Sequence, residues 1–189
     1  MTIGGTVSPA GGNFEEPVTQ ATLKVVGCFQ GLSRERSDAR RYPAIHPLDS
    51  WSKYPSFIEE KHVEYGRRIL REGNEVNQMM KVVGEEGVTV RDFELYMKSE
   101  FLDSVYLQQN TFDTVDCATS MDRQKRVFER VYEVLSTRFK LDSKEDAREF
   151  FNALRQMCID WNYISDDSPE FEKKDEGIKN IIQERKLQS

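Results

Sequence analysis

The sequence predicts a mainly α-helical fold: a helical bundle reached through a short β-containing opening segment. Three observations carry that expectation. From Pro55 onward, apolar residues recur at helical spacing almost to the C-terminus. Before it, residues 21–30 (Ala-Thr-Leu-Lys-Val-Val-Gly-Cys-Phe-Gln) are β-branched and apolar, bounded by Pro17 and Gly31, and are the best strand candidate. Between the two lies a run holding Pro43 and Pro47, four positions apart, which no helix interior accommodates because each lacks an N–H donor and fixes φ.

Taken in order, residues 1–20 are crowded with backbone punctuation: Gly4, Gly5, Pro9, Gly11, Gly12 and Pro17. A short strand over residues 2–8 is expected there, with too few apolar side chains to stand alone. A phosphate-cradling GxxxxGK[ST] loop occurs nowhere in the chain. Ser33 is placed to cap a short charged helix reaching about Arg41. Its arginines, Arg34, Arg36, Arg40 and Arg41, suit phosphate, although a solvated face or an intersubunit salt-bridge patch is the commoner use of such a cluster. The residues before the two prolines, Tyr42 and His46, are pushed toward extended backbone. The result is a stiff loop with Tyr42 at its start and Trp51 and Tyr54 at its end. Such a loop serves either as a stacking platform for a flat ligand or, more commonly, as a structural corner whose rings fill the core.

Pro55 is tolerated in a first helical turn, with Glu59 and Glu60 following. Phe57, Ile58, Tyr65, Ile69 and Leu70 give one apolar stripe up to Gly73, and a second helix is expected over residues 74–83 with Val76, Met79, Met80 and Val83. Gly84-Glu85-Glu86-Gly87 reads as a turn. Thr89-Val90-Arg91-Asp92 opens the next helix with a capping-box pattern, running to about Leu107. Gln108-Gln109-Asn110-Thr111-Phe112-Asp113 interrupts the pattern. Its amides suit the edge of a base and Phe112 or Tyr106 its face; polar capping of a helix end is the commoner use. Asp116 or Ser120 starts a helix to about Phe139, Asp142 or Ser143 another through Trp161, and residues 166–168 the last, a charged helix with a thin seam of Phe171, Ile178, Ile181 and Ile182.

Composition narrows the function. A formal net charge of −6 argues against a nucleic-acid binder, whose footprint is basic. No run approaches the length of a membrane-spanning segment and no signal peptide is visible. The three cysteines, Cys28, Cys117 and Cys158, are odd in number and far apart, fitting reduced, cytoplasmic thiols. With His46 and His62 as the only histidines, no Ser-His-Asp or Cys-His set can be assembled and a zinc site lacks its usual ligands. On its residues alone the chain is a helical module presenting an aromatic pocket, or an independent helical adaptor binding protein partners.

Four separated motifs add to this. Glu16-Pro17-Val18-Thr19-Gln20-Ala21-Thr22-Leu23, Arg41-Tyr42-Pro43-Ala44-Ile45, Trp51-Ser52-Lys53-Tyr54 and Gln108-Gln109-Asn110-Thr111-Phe112-Asp113 resemble, in order and spacing, the catalytic A subunit of the V-type and A-type rotary ATPases. The resemblance covers nearly the whole chain but only the C-terminal third of such a subunit. It implies that residues 1–54 are the end of a nucleotide-binding domain and residues 55–189 a C-terminal helical bundle. It implies that Tyr42, where many A subunits carry phenylalanine, packs on adenine, with Phe112 as the second ring and Tyr106, Gln108 and Gln109 beside it. The acidic turn Glu85-Glu86 would face a basic surface of the central rotor stalk. ATP or ADP with Mg²⁺ would be the ligands of the complete subunit, and B subunits its neighbours, in a cytoplasmic sector with no membrane insertion. The phosphate-binding lysine and metal-binding hydroxyl lie upstream in the family, so no catalytic or metal-ligating residue is expected here, and no ATPase activity from this piece alone.

Overall fold

The computed structural model describes residues 1–187, and 63% of the chain is helical. In chain order the helices are α1 (Pro17–Val25), α2 (Arg34–Asp38), α3 (Glu60–Val83), α4 (Val90–Leu102), α5 (Met121–Ser136), α6 (Lys144–Asn162) and α7 (Pro169–Arg185). Two short strands, β1 (Cys28–Phe29) and β2 (Trp51–Ser52), pair antiparallel with Phe29 opposite Trp51.

Hydroxyl side chains start five of these helices. Ser33, Thr89, Ser120, Ser143 and Ser168 each accept a backbone N–H from the first turn, satisfying donors that have no partner within the helix. At Thr89 the capping box is complete, since the Asp92 carboxylate accepts the Thr89 N–H in return. The expected starts of α2, α4, α5, α6 and α7 are therefore found where the capping chemistry puts them.

Four expectations fail, each for a physical reason. Residues 21–30 are not one strand: α1 occupies Pro17–Val25 and only Cys28–Phe29 is extended. Pro17 sits in the first helical turn, where its missing N–H is harmless, and Gln20, Ala21, Leu23 and Lys24 are good helix formers. Residues 2–8 hold no strand, having no partner to pair with. Finally, Gly73 does not end a helix. α3 runs unbroken through it, and Gly73 is buried where a methyl group would overlap the Cβ of Ser99 on α4. The glycine is there to let two helices approach. The start of α3 also falls later than Pro55, at Glu60, after a turn in which Ser56 Oγ accepts the Ile58 N–H.

α3 packs along α4, α4 on α6, and α6 on α7, with α5 closing the side against α3 and α4. Phe93, Phe101, Phe151, Leu154, Trp161 and Ile178 are at most 1% exposed in the core between them. α7 is held by Trp161, which stacks on Phe171 at 4.9 Å and donates its Nε1–H to the Phe171 carbonyl at 3.1 Å. Beyond α7, Lys186 makes an antiparallel bridge to Phe139, and Leu187 N–H bonds the Arg138 carbonyl at 2.9 Å.

Candidate functional site

The loop between α2 and β2 is pinned on several sides. Ser33 N–H bonds the Ala44 carbonyl and His46 N–H the Gly31 carbonyl, both at 2.7 Å, around a bridge between Leu32 and Ile45. From α3, the Arg67 guanidinium donates to the carbonyls of Leu48 at 2.6 Å and Ser50 at 3.1 Å. Arg40 takes a φ of 56°, turning the chain out of α2. The stiffness expected from two prolines is thus reinforced by hydrogen bonds to both neighbours.

The facing segment is the end of α4. There the helix widens into a π turn over Asp103–Leu107, and the backbone becomes extended at Gln108. Gln109 N–H then bonds the Tyr42 carbonyl at 2.8 Å, joining the two segments directly. Beyond it the chain folds on its own side chains: Asn110 Oδ1 accepts the Phe112 N–H at 3.1 Å, Asp113 Oδ1 those of Val115 and Asp116, and Asp116 Oδ2 that of Asn110 at 2.6 Å. These are Asx-type turns, in which a short side chain replaces a backbone acceptor.

A cleft of about 280 Å³ lies between the segments, lined by Pro43, Ile45 and Pro47 on one side and by Tyr106, Gln108, Gln109, Asp116, Thr119 and Arg123 among those opposite. Three of the five expected residues therefore share one cleft. Tyr106 is half-buried: its ring packs edge-on to Phe128 at 4.9 Å, and burial pushes its phenol up to about 12. Gln109 spends its side-chain N–H on the Asp116 carbonyl at 3.2 Å, while Gln108 is exposed. Tyr42 and Phe112 line none of it. Tyr42 is 49% exposed and Phe112 97%, and neither ring has an aromatic neighbour among the described residues. They stand on the outer surface beside the cleft, tied to it through backbone. Trp51, by contrast, packs against Phe29, and so serves the corner.

Four residues that matter here were not read from the sequence as parts of the site. Arg123 is 4% exposed at the cleft floor; its place four residues before Val127, on the apolar stripe of α5, was the available signal. Asp116 is buried, and burial raises its carboxyl above the ordinary range against the opposing effect of the Asn110 N–H. Asp103 and Glu100 receive the arginines: Arg36 and Arg41 both bond the Asp103 carboxylate, and Arg41 reaches Glu100 at 2.7 Å. The arginine cluster is accordingly neither a solvated face nor a patch left for another subunit at these two positions. Arg34, paired loosely with Asp38 at 3.7 Å, and Arg40 lie in solvent as expected.

At the far end of α3, the acidic turn is also partly committed within the chain. The Glu85 carboxylate bonds Arg148 at 2.5 Å and its carbonyl accepts from Lys144. Glu86 stays exposed, next to Val82 and Val83, which are 85% and 54% exposed.

Comparison with known proteins places these features in a family. Residues 53–147 match the model of the C-terminal domain of V and A type ATP synthase, and residues 1–52 that of the nucleotide-binding domain of the ATP synthase alpha/beta family. The V-type ATP synthase alpha chain of Treponema denticola is 62% identical over 98% of this chain and 31% of its own length. Alpha chain 1 of Treponema pallidum is 61% identical over 97% and 31%, and the alpha chain of Borrelia duttonii 57% over 99% and 32%. The chain thus spans about a third of the length of the curated relatives it matches. Among solved structures, an ATP synthase subunit, NeqB, from Nanoarcheaum equitans superposes with a TM-score of 0.57 at 17% identity, covering 68% of this chain and 33% of that one, a likeness of fold. No helix among the described residues is long and apolar enough to cross a membrane.

Proposed function

The chain belongs to the family of C-terminal domains of V- and A-type ATP synthases, and on that premise we propose that it forms the adenine-side wall of a nucleotide site and the lever of a rotary ATPase alpha chain. Residues 1–54 act as the edge of the nucleotide-binding domain and residues 55–189 as the bundle that follows it. The supporting observation is the Gln109 N–H bond to the Tyr42 carbonyl, which seats two loops side by side while leaving the faces of Tyr42 and Phe112 open. Exposed aromatic rings on backbone that is already fixed lose little entropy when a flat base stacks on them. Tyr106, Gln108 and Gln109 support the platform from the cleft behind it.

In this reading the chain binds and orients the base of ATP or ADP. The nucleotide's phosphates and their Mg²⁺ are held elsewhere in the longer subunit, where positioning and charge neutralisation carry phosphoryl transfer. The tip at residues 84–87, with Glu86 and the apolar Val82 and Val83 outward, meets the central stalk, while B subunits flank the nucleotide-binding edge. The assembled sector is peripheral to the membrane, on its cytoplasmic side.

The test is substitution in the full-length, assembled enzyme. Tyr42→Ala and Phe112→Ala should each weaken nucleotide binding by about 0.5–1.5 kcal/mol beyond lost area, as ring stacking predicts. Unchanged affinity in both variants removes the platform. The isolated chain should show no ATP turnover, and steady turnover by it would overturn the division of labour.

A further inference from the structure

Asp103 ties together both segments that carry the platform. It is 4% exposed at the start of the π turn. Its carboxylate accepts from Arg36 on α2 and from Arg41, the residue before Tyr42. Its backbone carbonyl accepts the Gln108 N–H at 3.0 Å, closing the turn that delivers Gln109 to the Tyr42 carbonyl. One residue therefore fixes the Tyr42 loop through its side chain and the facing segment through its backbone. Arg41 is doubly held, by Asp103 and by Glu100 one helical turn earlier.

Stability does not account for this arrangement. Arg36 Nε and Nη2 are buried with no acceptor among the described residues, and a buried donor without a partner costs about 1–3 kcal/mol, more when charged. Replacing a buried ion pair or triad by apolar side chains is often neutral or stabilising. What apolar packing would not supply is direction. Two guanidiniums converging on one carboxylate, itself set by a π turn, hold the loop in a single register. π turns occur disproportionately at functional positions.

We propose that Asp103, acting through Arg41 and Arg36, is a positioning residue that sets the spacing between the Tyr42 and Phe112 rings and thereby the affinity for nucleotide, touching neither base nor phosphate. This rests on the reading of those rings as a base platform. The brace does not enter the chemical step, so its loss acts on binding and spares turnover.

Two measurements test it. The first needs no nucleotide. Backbone amide exchange of Gln109, Ser33 and His46, whose N–H groups close the loop, should speed at least tenfold in Asp103→Asn and Arg41→Gln, with the amides of α6 unchanged. Arg41→Gln keeps the buried Arg36–Asp103 pair and so gives the answer even where Asp103→Asn unfolds the chain. Unchanged exchange at Gln109 in the folded variant overturns the brace. The second is a double-mutant cycle in the assembled full-length enzyme. Arg41→Gln and Asp103→Asn should raise KM for ATP three- to tenfold with kcat within twofold, and add less than twofold in a Tyr42→Ala background. Effects that multiply, or a fall in kcat at constant KM, overturn the positioning role. If Tyr42→Ala alone leaves KM unchanged while exchange at Gln109 responds, the platform reading has failed and the brace loses its link to nucleotide, a pattern distinct from a brace that was never there.

Discussion

The guanidinium of Arg123 donates to the carbonyl oxygen of Asn162, the last residue of α6, at 2.7 Å. It also reaches the carbonyls of Trp161 and Ile164 and the Asp166 carboxylate, and it lies 4.9 Å over the Phe171 ring. A cation placed on the unpaired carbonyls of a helix C-terminus satisfies them and complements the helix dipole. One buried side chain of α5 thereby ends α6 and steadies the turn into α7. Arg123→Met keeps the stem and removes these bonds, and each hydrogen bond to a charged group is worth about 1.5–3 kcal/mol. Because the freed carbonyls regain partial solvation, a net loss of about 3 kcal/mol is expected. Thermal unfolding should fall by about 6–12 °C, and a shift under 2 °C would contradict the capping role.

Two glycines of α3 should respond oppositely to the same substitution. At Gly73 an added methyl would overlap Ser99 and lie 3.4 Å from the Leu95 carbonyl, so α4 would have to move. At Gly66 it would meet Leu102 at 3.5 Å and Phe128 at 3.7 Å, ordinary contact. Overpacking costs about 1–3 kcal/mol, whereas alanine for glycine in a helix interior gains about 0.8–1.0 kcal/mol. Chemical denaturation should show Gly73→Ala destabilised and Gly66→Ala stabilised; the same sign in both would undo the close-approach explanation.

Asp116 carries a signature in pH. Burial raises its carboxyl above the ordinary range, so folding favours its protonated form and the ionised form weakens the folded state at neutral pH. Asn at this position can still accept the Asn110 N–H without the charge. Asp116→Asn should therefore raise the Tm near pH 7, with the gain shrinking as pH falls through the raised value toward the unfolded-state pKa of about 3.9. A gain independent of pH would locate the effect elsewhere.

The thiols should divide two to one. Cys28 and Cys117 are exposed, while Cys158 is buried on α6 and its thiol is pushed up to about 12 by burial. Only the thiolate reacts appreciably. Titration with a thiol reagent should count two groups in the folded chain and three in denaturant; three in the folded chain would mean that α6 opens readily.

What the sequence could reveal follows the range of the interactions. Thr89, Ser120, Ser143 and Ser168 are legible because a cap acts within its own first turn, and the stripe of Val127, Phe128, Val131 and Val134 because burial follows the helical period. Gly73 misleads because its reason lies on another helix: only the closeness of Ser99 explains why a glycine sits there. Residues 21–30 mislead because Val25 and Val26 lean toward strand while the proline and helix formers ahead of them decide otherwise. The candidate site divides likewise. Tyr42, Pro43 and the amide run stand out by local chemistry and by family pattern. The union of Arg36 and Arg41 with Asp103 does not, since no local rule pairs charges so distant in the chain. The surplus of arginine in residues 34–41 called for carboxylates without saying which.

The unbroken course of α3 has a mechanical consequence. At 1.5 Å per residue, its 24 residues make a beam of about 36 Å. In its first half Arg67 grips the loop between α2 and β2, and its far end stops at the turn around Glu86. With no break at Gly73, the segment from Arg67 to Val83 is an arm of about 24 Å, so a tilt of about 5° at Arg67 sweeps the tip through roughly 2 Å. Displacement of the tip is likewise transmitted through Arg67 to the Leu48 and Ser50 carbonyls, as a torque on the loop that holds Tyr42.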